Sequence, residues 1–167
     1  MANSNQPIKL SSDELLLMNI FEGITSVSPI TCRMIEDIIF YIVHERDVYK
    51  MFINKPLVND VSRYLKYNKY TPTKFVSALA KLLSENLKKK VYIVIYNDDL
   101  ISFIKNFFGL SREDSIRIMK RSDGSTIVYI NVPPDKRGVV IGRGGLRARI
   151  GRELAKAFFN VSNILIR

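Results

Sequence analysis

The chain repeats itself at one constant spacing. Tyr41-Ile42 returns as Tyr129-Ile130, Asp47 as Asp135, Ile53 as Ile141 and Lys55 as Arg143, each pair 88 residues apart (141 − 53). No gap interrupts the match between Tyr41 and Lys55. A pattern that runs twice within 167 residues calls for two similar small domains, and the spacing divides them near Asn97. The second copy runs shorter from Ile141 to Asn163 than the first from Ile53 to Val91, so the first carries about 16 extra residues (38 − 22).

Each copy reads as helix, strand, strand, helix, helix, strand. In the first, Ser12 to about Ile24 is an amphipathic helix, and Thr31–Ile35 and Ile38–His44 are strands joined at Glu36-Asp37. Asp47 caps a short helix through Phe52, and a further helix runs from Leu57 to about Tyr67. Asn68 to Pro72 is a breaker cluster, after which Thr73 caps a helix over Lys74 to Leu87. The breaker cluster and part of the helix after it fill the space of the extra residues. Val91–Tyr96 is a strand by composition, and Lys88–Lys90 before it reads as a solvated helix end complementing the dipole rather than an RNA contact. In the second copy, Asp98-Asp99 cap a helix to Phe108 closed by Gly109, and Ile116–Arg121 and Ser125–Val132 form a hairpin about Asp123-Gly124. Asp135 opens a short helix to Ile141, and Leu146–Phe159 and Asn163–Ile166 complete the pattern.

Between those last two helices stands Gly142-Arg143-Gly144-Gly145. Glycine reaches positive φ without steric cost and brings no side chain to hold a ligand away. Ahead of a helix start, such backbone can face an anion where the dipole favours negative charge. Arg143 puts a permanent cation at the same spot. On the following helix Leu146, Ile150, Leu154, Ala157 and Phe158 share a core face, while Arg149, Arg152 and Lys156 form a separate stripe. Like charges at this spacing repel, and a helix with only structural duties intersperses acids, whereas Glu153 is the only one here. Lys136, Arg137 and Arg147 extend the basic surface around the turn. The net charge of +10 is concentrated there: residues 112–167 hold 12 basic and 5 acidic side chains. An acidic partner is expected, and nucleic acid fits better than a solvated charged face. The first copy has Asn54-Lys55-Pro56-Leu57 at the matching positions; its proline has no N–H to donate, so that copy is expected to be structural.

Other chemistries fit less well. A P-loop needs lysine and a hydroxyl after its last glycine, and neither follows Gly145. A dinucleotide fingerprint needs a third glycine where Arg147 stands. No paired Cys/His set could hold zinc, His44 has no partner motif, and no catalytic site, metal or cofactor is expected. Cys32 is alone, which excludes an internal disulfide, makes the cytosol the simplest compartment and predicts a buried, inert thiol. No stretch approaches a membrane span, and residues 1–7 read as a short tail without secretory character.

Val140-Ile-Gly-Arg-Gly-Gly145 with its flanking helices resembles the GxxG turn of a K-homology (KH) domain, and the element order is similar to the type II arrangement. The chain more specifically resembles the archaeal NusA family of transcription factors. The resemblance rests on Ile8–Leu15, Phe21–Thr25, Asp99–Lys105, Pro134–Gly138 and Arg152–Lys156, and it covers most of the chain. It implies an α+β fold of two tandem type II KH domains, 8–97 and 98–167, each a three-stranded sheet with helices on one face, the first with a helical insertion at about 67–87. It also implies a non-enzymatic, cytoplasmic, monomeric factor that clamps single-stranded RNA during transcription elongation or termination. Gly142, Arg143, Gly144 and Gly145 would hold sugar-phosphate, with Ile141 and Tyr129 bordering the bases. A contact with RNA polymerase is left open. So are two alternatives on the same fold: a ribosome or rRNA-processing role, and a basic scaffold for an acidic protein.

Overall fold

The computed structural model describes residues 9–66 and 71–167; the expected tail and part of the breaker cluster lie outside them. The chain forms two compact units, dividing between Tyr96 and Asn97. The first contains α1 (Ser12–Thr25), β1 (Thr31–Ile35), β2 (Ile38–His44), α2 (Glu45–Phe52), α3 (Lys55–Val61), a 3-10 turn (Ser62–Tyr64), α4 (Pro72–Leu87) and β3 (Lys90–Tyr96). The second contains α5 (Leu100–Phe108), β4 (Ser115–Lys120), β5 (Thr126–Asn131), α6 (Pro134–Ile141), a 3-10 turn (Arg143–Gly145), α7 (Leu146–Phe159) and β6 (Val161–Ile166). Each has a three-stranded sheet in chain order, with its first pair antiparallel and its second parallel. This is an α+β fold of two KH-like units.

Local chemistry sets the element ends. Glu36 and Asp37 take φ of 52° and 64°, the left-handed pair a two-residue hairpin needs. Ser11 and Glu14 make a reciprocal capping box on α1. Glu14 also accepts from Met34 N at 2.9 Å, which ties the start of α1 to β1. Pro72 occupies the first turn of α4, so Thr71, rather than the expected Thr73, is the cap. His44, rather than Asp47, caps α2, its Nδ1 accepting from Arg46 N at 3.1 Å. α3 ends at Val61, short of the expected Tyr67.

The two sheets superpose in register at a spacing of 89, not 88. Ile39 pairs with Val91 and Phe40 with Tyr92; their counterparts are Val128 with Ile164 and Tyr129 with Leu165 (128 − 39 and 129 − 40). The bounds of α2 and α6 differ by the same 89 (134 − 45 and 141 − 52). One residue decides the face, because strand side chains alternate with period two. Tyr41 lies in the core, its hydroxyl donating to Leu17 O at 2.8 Å and its ring centroid 4.6 Å from that of Phe21. Its counterpart is the fully buried Ile130. Tyr129 matches Phe40 and stands on the face away from the helices.

The arginine helix has its counterpart in α4. Both helices end on a left-handed residue, Lys88 and Asn160, 72 apart (160 − 88). At that spacing the buried Val76, Ala78, Leu79, Leu82 and Leu83 match the buried Ala148, Ile150, Gly151, Leu154 and Ala155. The helix over 72–87 therefore belongs to the shared fold, which corrects the expected insertion at 67–87. The extra residues lie between Phe52 and Pro72, the stretch that holds α3 and its 3-10 turn. They number 17, since Ile53 to Lys88 spans 35 positions and Gly142 to Asn160 spans 18.

Candidate nucleic-acid interface

α6 stops at Ile141 because Gly142 takes φ 80°, ψ 167°, a combination almost confined to glycine. A Cβ at this position would lie 2.8 Å from Arg147 Cβ and 3.0 Å from Arg147 N, so glycine lets the start of α7 fold against the end of α6. Gly144 and Gly145 follow with φ of 60° and 74°, and a Cβ on either would meet nothing within 4 Å. Gly145 N donates to Gly142 O at 3.1 Å and closes the turn. Arg143 and Gly144 are exposed at its tip.

Side-chain acceptors cap α1 to α5 (Ser11, His44, Asn54, Thr71 and Asp99), whereas α7 begins at Gly145 with no side-chain cap. The positive end of its dipole thus opens beside Arg143. Along α7, Arg149, Arg152 and Lys156 are exposed, as is Arg137 on α6, while Arg147 and Ile141 are half-buried.

The remaining expected residues have other partners or positions. Arg152 Nε donates to Ile164 O at 2.9 Å, fastening α7 to β6. Lys136 forms an ion pair with the buried Asp114, which also accepts from Ser111 N at 2.8 Å. The hydrogen bond from Lys136, with those from Ser111, holds the Asp114 carboxyl below the usual range. Lys136 is therefore a bolt between α6 and the loop before β4. Tyr129 stands on the opposite side of the sheet from the turn, with Arg117 Cζ 5.2 Å and Arg167 Cζ 5.1 Å from its ring centroid. The structure does not bring it together with Gly142–Gly145. Val139, which the sequence reading did not select, is 66% exposed on α6 and puts an apolar surface near the turn. Its position one turn before the glycines was the available signal.

The first unit lacks this apparatus. At the spacing of 89 the turn corresponds to Ile53-Asn54-Lys55-Pro56, one residue earlier than the sequence repeat suggested, and it contains no glycine. At the spacing of 72, Arg149, Arg152 and Lys156 correspond to Ser77, Ala80 and Ser84. Among the described residues no helix is long and apolar enough to cross a membrane, and no cluster of His, Cys, Asp and Glu is arranged to hold a metal ion.

No protein-family model matches the chain. Comparison with individual proteins is more informative. A protein of Thermoplasma acidophilum named "Probable transcription termination protein NusA" is 24% identical over 161 residues, covering 96% of both chains. The chain is similar to archaeal NusA proteins. Proteins of the same name from Methanocaldococcus jannaschii and Methanococcus vannielii are each 24% identical over 95% of this chain, covering 75% and 79% of their own lengths. The crystal structure of APE1850 matches with a TM-score of 0.62 and 27% identity, over 95% of this chain and all of that one. NusA-like similarity therefore spans both units.

Proposed function

We propose that the protein is a single-stranded RNA-binding factor of NusA type, acting in transcription termination or elongation, and that its second unit holds the RNA. The observation that carries this reading is the exposed Arg143-Gly144 tip between an uncapped helix start and a stripe of cations. Guanidinium groups and helix N-termini both favour phosphate. Ile141 and Val139 offer apolar surface beside the tip for bases, as expected where a GxxG turn clamps about four nucleotides. The first unit has no glycine at the matching turn and no cation stripe on α4, which supports assigning capture to the second. The name shared by the archaeal relatives supports the transcriptional context.

The test is a charge reversal at the tip that leaves the hinge glycine in place. Arg143 and Gly144 are exposed, a Cβ at Gly144 meets nothing, and aspartate is among the residues that best tolerate its positive φ. The Arg143→Asp/Gly144→Asp variant should keep its circular dichroism spectrum and bind a fluorescent single-stranded RNA pool at least tenfold more weakly. Wild-type binding should weaken as salt rises, by about 0.7 log units in affinity per phosphate contact for each tenfold step. Undiminished binding by the folded variant would overturn the reading.

A further inference from the structure

Tyr129 stands on the side of the second sheet opposite the glycine turn, and the structure gives it different company there. Arg117 on β4 is its register partner, and Arg167 lies two residues beyond Leu165, its partner on β6. β4 and β6 flank β5 on opposite sides, so the two guanidinium groups approach the ring from two directions, at 5.2 Å and 5.1 Å from its centroid. Both arginines are exposed. None of the residues sharing that face on the three strands is acidic. The first sheet differs. Its equivalent arginine, Arg33, stands opposite Phe40 and is paired with Glu14 at 3.6 Å.

We propose that Arg117, Tyr129 and Arg167 form a second single-stranded RNA contact, on the sheet face, which receives the strand beyond the nucleotides held by the turn. A guanidinium stacked on an aromatic ring keeps its N–H donors around its own edge, where they can take phosphate oxygens bidentately. The tyrosine on the middle strand holds one such fork from each side. They can be no farther apart than their two ring distances together, which suits neighbouring phosphates of one strand. The planar groups also offer stacking surface to bases without selecting among them. A face that carries two exposed cations and no acid repels basic surfaces and attracts a polyanion. The proposal rests on the RNA reading of the turn, but its residues are separate.

The experiment compares a tetranucleotide with an RNA of about 20 nucleotides, by fluorescence anisotropy, on wild type, Arg143→Asp/Gly144→Asp and Arg117→Ala/Arg167→Ala. The arginine-to-alanine pair should bind the tetranucleotide like wild type. It should bind the longer RNA at least fivefold more weakly, with a log–log salt slope shallower by about 1.4. Arg117→Lys/Arg167→Lys keeps the charge without the planar fork; it should stay folded and fall between the two. Undiminished binding of the longer RNA by both folded arginine variants would overturn the proposal. So would displacement of that RNA by polyglutamate at the same charge concentration, which would assign the face to an acidic protein. If the turn variant keeps its tetranucleotide while the arginine variants lose the longer RNA, the turn reading fails and the sheet-face contact stands.

Discussion

Gly142 and Arg147 share space that a side chain on residue 142 would need: a Cβ there would lie 2.8 Å from Arg147 Cβ and 3.0 Å from its backbone nitrogen. Gly142→Ala therefore meets two costs, a backbone conformation that non-glycine residues avoid and a collision with main chain that cannot rotate away. The first alone is worth about 1–3 kcal/mol. Gly144→Ala meets only the left-handed φ, worth about 1–2 kcal/mol. Urea denaturation should rank Gly142→Ala as the less stable variant. Equal stabilities would show that α6 and α7 separate at little cost.

A second glycine has a role in packing. Gly151 lies inside α7, and a Cβ on it would come within 2.5 Å of Phe108 Cζ and 3.0 Å of Phe107 Cε1. Helix propensity alone makes Gly151→Ala stabilising by about 1 kcal/mol. Phe108 is 1% exposed and packs edge-on against Phe107 at 4.8 Å, so the ring has little room to yield. Overpacking of this kind costs about 1–3 kcal/mol, and the net effect is a lower melting temperature. Combining Gly151→Ala with Phe108→Leu should recover part of the loss. A stabilised single variant would show that α5 moves aside.

Much of this was legible from short-range chemistry. Glu36-Asp37, Asp99 and Gly109 mark element ends because a two-residue hairpin, a cap oxygen and a left-handed stop each leave local residue signatures. The glycine turn was visible for the same reason. Register was not. Tyr41-Ile42 and Tyr129-Ile130 match as letters, yet they sit one position out of step, with one tyrosine in a core and the other on an open face. Short apolar strands such as Ile38–His44 read equally well in either phase, and only pairing partners fix it. The same limit placed the extra residues on α4 instead of α3. Lys136 looked like a free cation because Asp114, 22 residues away, reaches it only in the folded unit. Gly151 was readable in principle, since a glycine inside a helical pattern signals a close approach.

Cys32 gives a direct probe of the first core. Burial, reinforced by the Glu14 charge and only partly offset by Arg33, pushes its thiol up to about 12. The thiolate is the reactive form, so at pH 8 the native thiol should be inert to a disulfide-exchange reagent. Adding urea through the unfolding transition should release one equivalent of reactive thiol, in step with loss of circular dichroism signal. Fast reaction in the native state would mean that β1 opens locally.

Glu14 couples that core to acid. Its side chain is 6% exposed, and it accepts from Ser11 N and Met34 N, both at 2.9 Å, with Arg33 Nη1 at 3.6 Å. Burial alone would raise its carboxyl, but the two backbone hydrogen bonds and the arginine outweigh it and hold it below the usual range. A carboxyl with a lowered folded-state pKa contributes stability that is fully present above its unfolded value. That contribution is lost as pH falls through the folded value. The melting temperature should therefore hold steady from pH 7 to about 5 and fall below about 4.3. Glu14→Gln presents one oxygen and one NH2 group to donors that need two oxygens, so it should lose about 1–3 kcal/mol at pH 7. Because it has no proton to take up, its stability should also fall less steeply in acid than that of the wild type. Parallel acid profiles for the two proteins would remove Glu14 from the acid response and assign it to other carboxylates with lowered values, such as Asp99 and Asp114.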